Sequence, residues 1–120
     1  MLVVDDEKEF CEFLKSLLVA AGHKVSVAND GAQAVKRFRD KPADIILMDM
    51  YMPRKEGLEA IGELVRDWPG TRIIAMTASR DEPMLKLARY LGAGKCLYKP
   101  FENSQLLDSI QELLARDSST

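Results

Sequence analysis

An α/β fold with a parallel sheet covered on both faces is the architecture this sequence predicts, and two observations carry it. Short apolar or alternating segments of four or five residues interleave with amphipathic stretches of helical period from one end of the chain to the other. The alternation is strict, five strand-like segments each followed by a helical one, and parallel neighbours then require right-handed crossovers.

The elements follow in order. Met1–Val4 is apolar and too short for a helix, so it reads as the first strand. Phe10, Phe13, Leu14, Leu17, Leu18 and Ala21 then share one helical stripe that ends at Gly22. Lys24–Ala28, with Val25 and Val27 in alternation, is the second strand. Asn29-Asp30-Gly31 punctuates, and a helix with Ala34, Val35 and Phe38 inward runs to about Asp40, where Lys41-Pro42 stops it. Asp44–Met48 is the third strand. Gly57, Ile61, Leu64, Val65 and Trp68 line a third helix closed by Pro69-Gly70, and Arg72–Met76 is a continuous apolar fourth strand. Pro83 opens a fourth helix with Met84, Leu87, Ala88 and Leu91 inward, ended by Gly92. Lys95–Tyr98 is the fifth strand. Asn103 or Ser104 caps a last helix with Leu106, Leu107, Ile110, Leu113 and Leu114 on its apolar stripe.

Composition narrows the function classes. A chain of 120 residues, 47% hydrophobic and 30% charged, can bury one core without disulfides or a structural metal. Seventeen Lys and Arg against 19 Asp and Glu give a net charge of -2 with no basic block, so direct binding to nucleic acid is not expected. The longest apolar runs, Leu17–Ala21 and Ile45–Met48, fall far short of the roughly 20 residues that span a bilayer. No basic-then-apolar leader opens the chain, and Cys11 and Cys96 lack metal or redox spacing, so they read as reduced, half-buried thiols in a cytoplasmic protein.

In open parallel sheets, ligands bind outside the carboxyl ends of the strands. There stand Asp5, Asp6 and Glu7 after the first strand, Asp49 after the third, Thr77, Ala78 and Ser79 after the fourth, and Lys99-Pro100 after the fifth. Each has a bland reading: helix-start acids for Asp5 and Asp6, a turn for Asp49, a cap for Thr77, a solvated charge for Lys99. Their joint position at one sheet edge argues for a site. Acids ending two adjacent strands come close enough to share a cation, and three carboxylates beside one Lys need about one divalent ion to balance. All-oxygen ligation favours Mg²⁺ or Mn²⁺ over zinc, and His23, the one histidine, sits at the other end of the sheet. Glu7 and Glu9 keep the reading of first-turn helix acids.

Four separated motifs, Leu2-Val3-Val4-Asp5-Asp6-Glu7, Asp49-Met50-Tyr51-Met52-Pro53 with Gly57 eight past the Asp, Met76-Thr77-Ala78, and Lys99-Pro100-Phe101, appear in order at successive strand ends. With them the chain resembles a receiver domain of the two-component response-regulator family, of the chemotaxis-regulator-like kind. The resemblance covers residues 1–116 as the receiver, with 117–120 as a C-terminal tail. It implies a flavodoxin-like doubly wound sheet of order 2-1-3-4-5 in a single domain. It also implies Asp49 as phosphoacceptor, and Mg²⁺ held by Asp5, Asp6, Asp49 and the backbone carbonyl of Tyr51. Thr77 would be the hydroxyl that bonds the phosphoryl group, Lys99 its cationic partner, and the Lys99-Pro100 bond would be cis. The implied partners are a sensor histidine kinase or phosphotransfer protein upstream and, through the face of helix four, strand five and helix five, a downstream protein or output domain.

The sequence departs from the family pattern at Cys96, three before the Lys, where an aromatic residue is usual, and at Glu56, where Asp is more usual. Signalling is therefore expected to depend less on residue 96 and more on Thr77, the segment to Asp81 and the fourth helix. Tyr98 shares strand parity with Cys96 and would serve in part. Three other functions are weighed against the phosphoryl-accepting switch. A degenerate receiver would have lost a metal acid, Asp49 or Lys99, and none is lost. A phosphatase forming an aspartyl-phosphate wants a general acid two residues past the nucleophile, where Tyr51 stands. A flavin module needs a hydroxyl-and-glycine phosphate loop after the first strand, where Asp5-Asp6 would repel the phosphate.

Overall fold

The computed structural model describes residues 1–50, 56–78 and 82–116. Five strands, β1 (Leu2–Val4), β2 (Ser26–Ala28), β3 (Ile45–Asp49), β4 (Arg72–Thr77) and β5 (Lys95–Tyr98), alternate with five helices, α1 (Lys8–Ala20), α2 (Gly31–Asp40), α3 (Glu56–Asp67), α4 (Glu82–Leu91) and α5 (Asn103–Arg116). All strand pairs are parallel, in the order β2-β1-β3-β4-β5. The doubly wound sheet, the strand order and the single core-bearing unit agree with the expectation.

Period two along the strands divides the core. Leu2, Val4, Ile46, Met48, Ile73 and Ala75 point to one face and pack with α2, α3 and α4 residues such as Phe38, Ile61, Leu64 and Ala88. Val3, Ile45, Leu47, Ile74 and Met76 point to the other and pack with Leu14 and Leu18 of α1 and Leu106, Ile110 and Leu113 of α5. Both faces are covered, which is why β3 and β4 read as unbroken apolar runs.

Helix starts are set by local hydrogen bonds. The Asp30 carboxylate accepts from Gln33 N–H at 2.8 Å while the Gln33 amide oxygen accepts from Asn29 N–H at 3.0 Å, a reciprocal cap for α2. At α5 the cap differs from expectation: neither Asn103 nor Ser104 caps, because the helix begins at Asn103 and the Gln105 amide oxygen accepts the N–H of Glu102 at 2.9 Å. Pro83 is the second residue of α4 rather than its first. The helical stripes need three corrections, the first at Ala21, which is exposed just past the end of α1. Phe13 is 50% exposed while Cys11 is buried, and Leu87 is 45% exposed while Leu85 is buried. In each helix the apolar arc is wider than the surface its neighbours cover, so packing and not periodicity chooses which side chain goes inside. Gly92, at φ +127° after α4, has no room for a side chain: a Cβ there would lie 2.7 Å from Val65 Cγ2.

Candidate functional site

β1 and β3 are neighbours at the point where the strand order reverses, and Val4 pairs with Met48. Asp5, one residue past β1, therefore comes level with Asp49, the last residue of β3. Asp5 and Asp49 are buried, at 0% and 4% exposure, and Asp6 is exposed beside them. Carboxylate oxygens of Asp5, Asp6 and Asp49 all lie within 4.8 Å of one another.

Thr77 ends β4 and is fully buried. Its backbone oxygen accepts the Lys99 N–H at 2.7 Å, which joins the fourth and fifth strand ends by their main chains. The Lys99-Pro100 bond is cis, as expected. Lys99 Nζ donates to Asp5 Oδ2 at 2.7 Å and stands 3.5 Å from Asp49 Oδ1. The tight partner in this state is thus Asp5, whose other oxygen accepts Glu7 N–H at 3.0 Å. Burial pulls the Lys99 ammonium down, but the Asp5 hydrogen bond and the charges of Asp49 and Asp5 outweigh it, and the pKa stands above the ordinary lysine value. Lys99 is charged at neutral pH.

The donor set fits a hard divalent cation: carboxylates on two adjacent strand ends, with no imidazole or thiolate among them. Cys11 does lie close, its Sγ donating to the Asp5 backbone oxygen at 3.3 Å. Burial first, then the Asp5 charge, push that thiol up to about 11, so it stays protonated at neutral pH. Cys11 is buried rather than half-buried, whereas Cys96 is half-buried as expected, its thiol also raised by burial against the opposing Arg89 charge. Both thiols should therefore react slowly with a thiol-specific disulfide reagent at pH 8, and at ordinary rates in denaturant. Rapid native labelling of Cys11 would contradict its placement against Asp5.

Sequence reasoning placed Asp5, Asp6, Asp49, Thr77 and Lys99 at one edge, and there they stand. The expected backbone ligand at Tyr51, together with Ser79 and Asp81, lies outside the described residues. Two contributors, Asn29 and Phe10, carry no functional reading in the sequence, and two more, Tyr98 and Gly57, gain their physical reason only from the structure. Asn29, read as punctuation, donates from Nδ2 to the Asp5 backbone oxygen at 3.4 Å. The Phe10 ring, read as core, lies under Lys99 with Nζ 4.4 Å from its centroid. Tyr98 Oη donates to Glu82 Oε1 at 2.9 Å, tying the end of β5 to the start of α4. Gly57, read as a motif position, has its backbone against that of Asp49. The contacts of Asn29, Phe10 and Tyr98 leave no spacing signal, since each partner lies far along the chain, and the spacing of Gly57 from Asp49 is visible while its backbone reason is not.

A doubly wound module with a buried acid pair, a rim acid, a hydroxyl and a lysine at its switch point is the architecture of a phosphoacceptor domain. The model of the response regulator receiver domain matches residues 1–111, and the chain belongs to that family. It is 39% identical over 116 residues to the transcriptional regulatory protein CpxR of Klebsiella pneumoniae, a match covering 97% of this chain and 49% of that protein. The chain thus spans about half the length of such relatives. The chemotaxis protein CheY of Thermotoga maritima is 31% identical over 114 residues, 94% of this chain and 95% of that one. The response regulator TrrA of the same organism, solved in complex with Mg(2+)-BeF, superposes with a TM-score of 0.84 at 31% identity, covering 93% of this chain and 96% of that one. Receiver domains are phosphorylation-dependent switches of two-component regulators. Among the described residues, no helix is long and apolar enough to cross a membrane.

Proposed function

We propose that Asp49 accepts a phosphoryl group from the phosphohistidine of a sensor histidine kinase or phosphotransfer protein, and that its phosphorylation switches partner binding. The observation that carries this reading is the convergence of the Asp5 and Asp49 carboxylates within 3.5 Å of the Lys99 ammonium, beside the third carboxylate of Asp6. The chain is an acceptor that assists its own phosphorylation, not a turnover enzyme. Residues 1–116 form the receiver and 117–120, outside the described residues, a tail; the reading places it in the cytoplasm.

An Asp49 carboxylate oxygen attacks phosphorus in line. The O–P bond forms, the P–N bond breaks, and the electron pair leaves on the imidazole nitrogen, which takes a proton from water. Lys99 pairs with a phosphoryl oxygen, and the Thr77 hydroxyl donates to another. Asp5, Asp6 and Asp49, with the Tyr51 carbonyl that the family resemblance adds, would hold Mg²⁺ or in its place Mn²⁺, which when bound would supply the charge that lets an anion approach three carboxylates. Intact-mass spectrometry after incubation with a small-molecule phosphodonor tests the reading. One phosphoryl group gained with Mg²⁺ and none in chelator supports it; no gain under either condition sinks it.

The output face we propose is α4, β5 and α5. On α4, Leu87 and Tyr90 are 45% and 86% exposed, apolar surface that suits a protein partner. Cys96, packed half-buried against the α2–α4 core, is too small to transmit a rotamer change, whereas Tyr98 is already tied to Glu82 at the start of α4. Thr77→Ala should therefore abolish the change in α4 amide resonances that beryllofluoride plus Mg²⁺ produces, and Cys96→Ala should retain most of it. Equal loss in both variants would make residue 96 a principal element after all.

A further inference from the structure

The Lys99 ammonium has three N–H donors and no acceptor. Among the described residues its partners are Asp5 Oδ2 at 2.7 Å, Asp49 Oδ1 at 3.5 Å and the face of the Phe10 ring, 4.4 Å from Nζ to centroid. Two donors thus have carboxylates and the third side of the cation has a π face, which attracts it through the ring quadrupole. The lysine side chain is 15% exposed, so the ring occupies ground that water would otherwise take.

Phe10 itself is held. The Phe101 ring meets it edge-on at 6.1 Å and 70°, and Phe13 stacks at 6.4 Å and 26°. Phe101 follows Lys99 by two residues, so the clamp grips both the lysine's strand end and the ring beneath its head. A lysine head on a four-carbon stem is otherwise a mobile, strongly hydrated point charge.

We propose that Phe10 is a positioning residue: its ring holds the Lys99 ammonium, desolvated on one side, between Asp5 and Asp49, so that it can pass from Asp5 to the incoming phosphoryl group without leaving the ring face. This rests on the reading of Lys99 as the cationic partner of that group. A ring contact has no directional lone pair to break, so the ammonium can slide over it while exchanging one oxygen partner for another. An aliphatic side chain of similar volume fills the space but not the electrostatic role.

The test replaces Phe10 by leucine, by tyrosine, and by phenylalanines carrying one, two and three ring fluorines, which drain the π face at nearly constant shape. Labelling rates with a small-molecule phosphodonor and Mg²⁺ are measured on each intact chain, alongside the ¹⁵N resonance of Lys99 Nζ. The expected result is a stepwise slowing along the fluorine series and a loss of about threefold to tenfold in Phe10→Leu. Phe10→Tyr should stay near the parent rate, and the Nζ resonance should shift in step with the rates. Rates and resonance that stay flat along the fluorine series overturn the proposal even if Phe10→Leu is slow, because packing alone would then explain that loss. An unlabelled parent chain overturns the phosphoacceptor reading instead, a distinct outcome, since no variant would then be labelled at all and the role assigned to Phe10 would fall with it.

Discussion

Asp49→Asn is expected to take up no phosphoryl group from a small-molecule donor, and the parent chain none in excess chelator. The substitution is nearly isosteric and leaves an amide that cannot act as the nucleophile. Among the described residues, no neighbour is placed to replace it. Asp5 already holds Lys99 at 2.7 Å and Glu7 N–H at 3.0 Å, and Asp6 sits exposed at the rim. The requirement for a cation follows from magnitude. Two carboxylates 4.8 Å apart repel by about 3 to 4 kcal/mol at an effective dielectric of about 20, and an arriving phosphoryl group adds further negative charge to a pocket where, among the described residues, Lys99 is the one lysine paired with them. Phosphopeptide mapping identifies the acceptor, and circular dichroism shows whether the variant keeps its fold. Undiminished labelling of a folded Asp49→Asn, or full labelling of the parent in chelator, would remove Asp49 or the metal from the scheme.

How much of this was legible beforehand depends on how far apart the interacting residues lie. Strand alternation, the parallel sheet and the acids at the strand ends are read from local periodicity, because β3 and β4 are apolar on both faces and stop at Asp49 and Thr77. The strand order needed the family resemblance, since periodicity does not say which strands are neighbours. Which of Leu85 and Leu87 faces inward was not legible, nor that Phe13 faces out, because both choices sit on an apolar arc and only the neighbouring elements decide. Phe10 beneath Lys99 and Tyr98 against Glu82 are contacts between separate elements of the chain and leave no spacing in the sequence. Gly57 shows the same limit most clearly: its place in a motif is visible, while its reason is a backbone distance.

Gly57→Ala should destabilise the protein and slow phosphoryl acceptance by more than the stability loss accounts for. In an exposed helix interior the same change stabilises by about 1 kcal/mol. Here the sign reverses, because a Cβ on Gly57 would lie 2.6 Å from the Asp49 backbone oxygen and 3.1 Å from Met50 Cα. Both opposing atoms are main chain, so no rotamer change relieves the contact; either the start of α3 or the end of β3 must move. Forcing one extra carbon into a packed site costs typically 1 to 3 kcal/mol, which in a domain of this size lowers Tm by several degrees. Moving the end of β3 carries the Asp49 carboxylate away from Lys99 and Asp5, and a misplacement near 1 Å can cost about a hundredfold in rate. Gly62→Ala in the same helix supplies the control. Its Cβ would meet only Leu91 Cδ2, at 3.9 Å, an ordinary contact, so that variant should be as stable as the parent or up to about 1 kcal/mol better, with unchanged labelling. Thermal melts and labelling rates of the two variants decide the matter. Parent-like values for Gly57→Ala in both measurements would mean that α3 can retreat from Asp49 freely, and that the close approach of the two backbones does not set the position of the phosphoacceptor.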